Sequence, residues 1–142
     1  MNAHKKLGYL IGFVFIMLLM VGCGGKQESV AIKASLDTIQ EISSWGGKYV
    51  VFTSAQNPIN SLDEISVSDG EVGTWGPNPN IVKSFLKTFG QDIFGLQMIG
   101  DVGQGTKIFC DNPELRLFIA SADFEKYILD TGCGVKVTFE EE

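Results

Sequence analysis

The sequence has very little histidine and arginine: among 142 residues, His4 and Arg116 are the only ones of their kinds. Any Ser-His-Asp triad, Cys-His pair or histidine metal ligand would therefore depend on one residue near the N-terminus. A lone arginine also argues against a bidentate clamp for phosphates or for several carboxylates. We expect Arg116 to be a surface or strand-end charge.

An apolar N-terminal stretch ends in a small residue and a cysteine. Lys5 and Lys6 precede an uncharged run over residues 7–21, which is too short for a comfortable membrane span. The run closes with Met20-Val21-Gly22-Cys23, which resembles the lipobox of bacterial lipoproteins, although leucine is commoner than methionine at its first position. The resemblance implies cleavage before Cys23 and lipid on that cysteine. An uncleaved signal anchor is the alternative.

The resemblance covers residues 1–23 only and implies three parts: a signal peptide over 1–22 that is removed, a lipidated tether over 23–29, and one domain over 30–142. Acyl chains such as palmitate on Cys23 would hold the protein to the membrane. Gly24 differs from the aspartate associated with inner-membrane retention. The resemblance therefore implies the periplasmic face of the outer membrane in a Gram-negative host, and otherwise the outer face of the cell membrane.

Removal of the signal would take away His4, Lys5 and Lys6. Nine basic and seventeen acidic side chains would remain, a formal net charge of −8. This charge excludes nucleic acid as an expected partner and favours a basic one, although acidity often only keeps a protein soluble. Without histidine, most familiar hydrolase designs are excluded, and we expect neither a cofactor nor a metal.

The remaining residues, about 120, suffice for one domain with a sizeable core. Hydrophobic residues make up 44% of the chain and ten residues are phenylalanine, which argues against disorder. Cys110 and Cys133 form an even pair in an exported protein, so we expect a disulfide, with two buried free thiols as the alternative. Gly132 and Gly134 around the second cysteine suggest tight backbone packing.

The pattern of apolar residues predicts an α+β fold: a single small domain with a mainly antiparallel sheet of about five to seven strands and three helices. Cys110 would end one strand and Cys133 would begin another. The acidic residues 140–142 are expected to fray. The predicted elements are a helix over 30–44 capped by Ser29, a strand over 48–54, a hairpin of 64–67 with 71–74, a helix over 81–89 capped by Asn80, strands over 93–99, 107–110 and 115–120, a short helix from Ser121 to Gly132, and a strand over 135–139.

Three motifs could carry chemistry. Residues 100–107 superficially resemble a phosphate loop, but Gly105-Thr106-Lys107 breaks the required order and a strand is predicted to follow, so we interpret them as a glycine-rich turn. The spacing around Gly70 and Gly105 does not fit a calcium loop. Two carboxylates in a cleft would suffice for a glycosidase, and the densest acidic group is Asp63, Glu64, Asp69 and Glu71.

Trp75 is the best candidate for recognition, because an aromatic held by a stiff loop loses little entropy on binding. Pro77 and Asn78 belong to the same loop, whereas Trp45 is expected to pack inside. We expect a non-catalytic lipoprotein that binds, or helps to assemble, another envelope protein. The alternatives are an inhibitor of a basic hydrolase such as lysozyme and a carboxylate-dependent hydrolase.

Overall fold

The computed structural model describes residues 29–65, 71–88, 90, 97–98 and 101–142. Cys23, the predicted signal and tether up to residue 28, residues 66–70, Phe89 and most of the predicted strand 93–99 lie outside the described residues. Within these ranges the elements are β1 (Ser29–Ala34), α1 (Leu36–Ser44), β2 (Tyr49–Ser54), a 3-10 helix (Leu62–Glu64), β3 (Val72–Trp75), α2 (Pro79–Thr88), β4 (Gln97–Met98), α3 (Val102–Asp111), β5 (Leu117–Ser121), a second 3-10 helix (Ala122–Phe124), α4 (Glu125–Thr131) and β6 (Gly134–Glu141).

The fold is α+β, with one sheet in the order β1-β6-β2-β5-β3-β4, of which β4 is only two residues long. The predicted mainly antiparallel sheet is wrong. β1 pairs with β6, and β3 pairs with β5 and β4, all in parallel, whereas β2 alone runs antiparallel to its neighbours β5 and β6. Four α-helices, rather than three, are found in the described part of the chain.

Alternation along the central strands creates two cores, because successive side chains point to opposite faces of a sheet. Val51 belongs to one apolar cluster, while Val50 and Phe52 belong to the other. Helices α1 and α2 cover the first face, and α3 and α4 cover the second. The first cluster includes Ile32, Trp45, Val82, Phe85, Leu117 and Ile119, and the second includes Phe109, Leu115, Phe118, Ala120 and Ile128.

The first predicted helix is wrong over residues 30–34, which form β1. Ile32 and Ala34 are buried on one side of this strand, while Ala31 and Lys33 are exposed. Ser35, rather than Ser29, caps α1 by accepting a hydrogen bond from the Thr38 N–H. The strand forms because β6 supplies a parallel partner along the whole length of β1.

The C-terminal strand continues beyond its predicted end. Glu140 and Glu141 pair with Lys33 and Ala34 of β1, so the prediction of a frayed end is wrong for these two residues. At its other end β6 pairs with β2 over only three positions, the last of which joins Phe52 to Lys136. The remaining residues of the two strands, 49–51 of β2 and 137–141 of β6, are not in the register of this pair.

Two more local predictions fail. The two edges of β3 are taken by β5 and β4, and Leu62–Glu64 is a 3-10 helix, so the predicted hairpin with residues 64–67 does not form in the described part. Residues 107–110, predicted as a strand, lie within α3. The strands predicted over 48–54, 115–120 and 135–139 are confirmed as β2, β5 and β6, within two residues at their ends.

Candidate functional site

A stiff loop follows β3 and carries the predicted recognition residues. Gly76 has a φ of 82°, a left-handed conformation that favours glycine, and a Cβ added to it would lie in ordinary contact with the Ser121 Cβ at 3.4 Å. Asn78, rather than Asn80, caps α2: its side-chain oxygen accepts the Asn80 N–H at 2.9 Å. Pro79 is the first residue of α2, a position that favours proline.

The loop residues differ in how far they reach the surface. Trp75 is half-buried and packs edge-on against Phe124, with ring centroids 4.1 Å apart. Pro77 is buried and shapes the loop from within, whereas Asn78 is exposed. A partner would therefore meet Trp75 and Asn78. Trp45, by contrast, is buried among Tyr49 and Phe85, as expected.

Three further residues extend this surface, and sequence reasoning missed them. Phe124 packs on Trp75, and Tyr127 is 48% exposed. The Tyr127 hydroxyl and the Asp101 carboxylate both lie within 4 Å of the point where a Cβ on Gly103 would stand. We call Trp75, Asn78, Asp101, Phe124 and Tyr127 the Trp75 surface.

Topology explains how these residues meet. β3 and β5 are adjacent and parallel, with Trp75 beside Ala120, so the segments that follow them leave from the same edge of the sheet. The segments after β3 and β5 are two of the three that form this surface. The third begins at Asp101, which precedes α3 and accepts the Gln104 N–H at 2.8 Å. Crevices at the carboxyl ends of parallel strands are common ligand sites in open sheets. Sequence reasoning could not bring these residues together, because it did not predict that β3 and β5 pair in parallel.

Residues 101–107 of the glycine-rich segment form the start of a helix and not the predicted turn, and Gly100 lies outside the described residues. Gly103 and Gly105 lie within α3, and the Asp101 carboxylate occupies its N-terminus. A carboxylate there disfavours a phosphate, because two negative groups would compete for the same backbone N–H groups. The strand that was predicted to follow is absent, so the order Gly105-Thr106-Lys107 is the remaining sequence argument against a phosphate loop.

In the acidic group considered for catalysis, Glu64 is paired with Arg116. The Arg116 Nη2 donates to Glu64 Oε2 at 2.9 Å and to the Pro58 carbonyl at 3.0 Å, and the Arg116 side chain is only 15% exposed. Arg116 directly precedes β5, so it is the strand-end charge that was one of the two expectations, and it joins this strand to the loop after β2 rather than lying on the surface. Asp69 lies outside the described residues.

Glu64 is held in its charged form. The Asn60 N–H, which donates to Glu64 Oε1 at 3.0 Å, and secondarily Arg116 keep the pKa of this carboxyl below its ordinary value, although partial burial opposes them. A general acid needs the opposite shift. Glu64 is thus suited to a structural ion pair.

Cys110 and Cys133 are joined in the predicted disulfide, with Cα atoms 5.2 Å apart. Cys110 lies in α3 rather than at a strand end, and Cys133 directly precedes β6. The bond fastens the C-terminal part of α3 to the start of β6. It lies away from the Trp75 surface, which adjoins the N-terminal ends of α3 and α4.

In the described part of the chain, no group of three or more histidine, cysteine, aspartate or glutamate side chains is arranged to hold a metal ion. Among the same residues, none of the helices has the length and apolar character that a membrane crossing requires. Comparison of the chain with protein-family models, with curated proteins and with solved structures finds no match.

Proposed function

We propose that this chain is a membrane-anchored lipoprotein of the bacterial envelope that binds another envelope protein through the Trp75 surface without catalysing a reaction. The lipobox resemblance at Cys23 supports the anchor. The observation that carries the binding role is a set of partly exposed aromatic and polar side chains, which three separate segments bring to one edge of the sheet.

The position of Ser29 supports this division between anchor and binding surface. Ser29 pairs with Lys136 in β6, and four strand spacings separate it from β3, a distance of about 19 Å across the sheet. Ser29 also borders a groove beside Leu129 and Gly132, at the C-terminal end of α4. Trp75 instead contacts Phe124, which precedes α4. A tether entering at Ser29 would leave the Trp75 surface accessible.

Site-specific photocrosslinking in native membranes tests this function. A benzophenone amino acid would replace Tyr127, and the matched control would carry it at Gln56, which is exposed in the loop after β2. We expect one envelope protein to crosslink at residue 127 and not at residue 56. The product should also be lost in Cys23→Ala, because the anchor concentrates the domain near its partner.

Trp75→Ala provides the second arm, with recovery of the Cys110–Cys133 disulfide as the check that the variant folds. We expect a weaker crosslink at residue 127, because Trp75 and its neighbour Phe124 form the apolar centre of the surface. Equal products at residues 127 and 56, or a product that survives Trp75→Ala unchanged, would contradict the proposed binding surface.

The inhibitor of a basic hydrolase remains a second candidate, favoured by two exposed carboxylates. Asp101 belongs to the Trp75 surface, and Asp123 directly precedes Phe124. One basic residue lies nearby, because the Lys48 carbonyl accepts the N–H of Ala122, the residue before Asp123. This function predicts binding to purified lysozyme that weakens with salt and is lost when the lysines of lysozyme are acetylated. Binding that is insensitive to both treatments would contradict it.

A further inference from the structure

A small open space in the Trp75 surface lies at Gly103, in the first turn of α3. Gly103 is partly exposed, so solvent reaches the place that a side chain would occupy. Apart from the α3 backbone and the chain neighbours of Gly103, two atoms of the described residues lie within 4 Å of an added Cβ. They are Asp101 Oδ1 at 3.4 Å and the Tyr127 hydroxyl oxygen at 3.9 Å. We call this space the Gly103 notch.

Both oxygen atoms beside the notch can accept more hydrogen bonds than the protein gives them. The Asp101 carboxylate accepts the Gln104 N–H at 2.8 Å, and no second partner is found for it among the described residues. An ionised carboxylate has about four acceptor positions. The Tyr127 hydroxyl has no hydrogen-bond partner in the same part of the chain, and its side chain is 48% exposed. The notch is therefore bordered by two acceptors that a ligand can use.

The negative charge at the notch is not balanced by a neighbouring lysine. Lys107 of α3 pairs with Asp111, and Lys126 of α4 pairs with Asp130, each partner lying four residues further along the same helix. None of the ion pairs found in the described ranges includes Asp101. A cation from another molecule could therefore supply the partner that this carboxylate lacks.

The N-terminus of α3 acts in the opposite direction, but more weakly. A helix N-terminus carries about half a positive charge, which disfavours a cation. The Asp101 carboxylate at that N-terminus carries a full negative charge, and the exposed Asp123 adds another in the turn before α4. The formal net charge of the chain, −6, gives a long-range field of the same sign. The balance of charge at the notch favours a cation.

The aromatic part of the surface suits the stem of a basic side chain. Tyr127 is one of the large apolar side chains that stay about half exposed in the described part of the chain. An aromatic ring attracts a cation to its face, and the methylene stem of lysine or arginine packs on apolar surface. Phe124, which precedes Tyr127 by three residues, packs on Trp75 and continues that apolar surface.

We propose that the Gly103 notch binds one basic side chain, a lysine or arginine of the partner, whose cationic group donates to the Asp101 carboxylate and the Tyr127 hydroxyl. This inference rests on the proposed function, because it assigns the chemistry that the partner presents to the Trp75 surface. Glycine keeps the space open, since any other residue would place its own Cβ there. A neutral donor could form the same hydrogen bonds without the ion pair, and the test separates the two.

Blocked pentapeptides test the notch in the full-length chain in detergent. Each peptide has alanine at four positions and lysine, arginine, citrulline or norleucine at its centre; citrulline has nearly the shape of arginine without its charge. We expect the lysine and arginine peptides to shift the amide resonances of Gly103 and Gln104 saturably. The indole resonance of Trp45, which is buried in the other core, should not move. The two uncharged peptides should bind at least about tenfold more weakly.

Two variants alter the notch while keeping α3 intact. Asp101→Asn keeps an acceptor for the helix cap but removes the charge, and Gly103→Ala fills the space with a methyl group that a helix accepts. We expect each to weaken binding of the lysine peptide by about tenfold. The matched control is Asp37→Asn, which removes the charge of an exposed carboxylate in the first turn of α1 and should leave binding unchanged.

Four results would overturn the assignment: no peptide shifts the Gly103 and Gln104 amides, the citrulline peptide binds as well as the arginine peptide, Asp101→Asn or Gly103→Ala binds like the parent chain, or Asp37→Asn weakens binding equally.

The photocrosslink at residue 127 keeps this inference distinct from the proposed function. A crosslink that persists undiminished in Asp101→Asn would leave the proposed function intact and contradict the role of the notch. Absence of any crosslinked envelope protein, with the lysine peptide still binding as expected, would contradict the proposed function alone.

Discussion

At Gly134 the main chain of β6 passes directly under core side chains. A Cβ there would lie 2.9 Å from the Phe109 ring and 3.3 Å from the Ile128 Cγ2. The Phe109 ring is stacked on Phe118 with centroids 5.1 Å apart, so it has little room to move. The tight packing suggested by the glycines around Cys133 is observed at this residue.

We therefore expect Gly134→Ala to lower the free energy of unfolding by about 1–3 kcal/mol, the usual cost of overpacking a core. Urea unfolding followed by far-UV circular dichroism measures it. Gly103→Ala is the control: its Cβ would meet only the Asp101 carboxylate at 3.4 Å and the Tyr127 hydroxyl at 3.9 Å, and alanine favours the helix. Equal losses in both variants would contradict the packing argument.

Glu64 makes a pH-dependent contribution to stability whose sign follows from its lowered pKa. Folding favours the charged carboxyl, so the stabilisation is present above the ordinary value of 4.5 and is lost as the pH falls through the lower folded value. We expect Glu64→Gln to reduce the unfolding free energy at pH 7 and to have a shrinking effect below pH 4.5. Unfolding at several pH values measures this, with the exposed Glu114→Gln as control. A penalty that grows on acidification would contradict it.

At the scale of elements, α3 depends on Asp101, the residue that caps its N-terminus. Asp101→Ala removes the acceptor of the Gln104 N–H and should destabilise the protein by about 1 kcal/mol, whereas Asp101→Asn keeps an acceptor and should cost less. Urea unfolding of the two variants measures the difference. If neither variant changes the midpoint, the segment does not depend on this cap.

Local sequence patterns predicted the elements that have one clear period. Alternating or continuous apolar residues identified β2, β5 and β6, and the stripe from Ile81 to Leu86 identified α2. β1 was missed because Ile32, Leu36 and Ile39 fit a helical stripe as well as Val30, Ile32 and Ala34 fit a strand. α3 was missed because its glycines favour a turn, while its cap and the disulfide hold it as a helix.

The direction of the sheet could not be predicted from the sequence. Short connections between predicted strands suggested antiparallel neighbours, but most neighbouring strands in the sheet are distant along the chain, as in β1 with β6 and β2 with β5. The candidate site could be predicted only in part, because it also depends on which strands are neighbours in the sheet. The loop composition identified Trp75, whereas Phe124, Tyr127 and Asp101 join it only through the pairing of β3 with β5.

For the whole molecule, the disulfide joins two parts of the second face that would otherwise depend on packing alone. Its cysteines are 23 residues apart, and removal of such a cross-link should cost about 3 kcal/mol in the chain-entropy account. We expect Cys110→Ala/Cys133→Ala to unfold at lower urea concentration than the parent chain. Reductant should lower the parent midpoint and leave that of the double variant unchanged. If reductant does not change the urea midpoint of the parent chain, the disulfide does not make this contribution to stability.

The order of the strands in the sheet has a consequence for when the chain can fold. Both sheet neighbours of β2, and the sheet partner of β1, come from residues 117–141, near the end of the sequence. Forming these pairs must wait for distant segments, which slows folding. A chain that emerges N-terminus first, from a ribosome or through a membrane pore, therefore cannot assemble its central sheet until almost all of it has emerged. Until then β1 and β2 lack their sheet partners, which keeps this part of the chain free to pass through a pore.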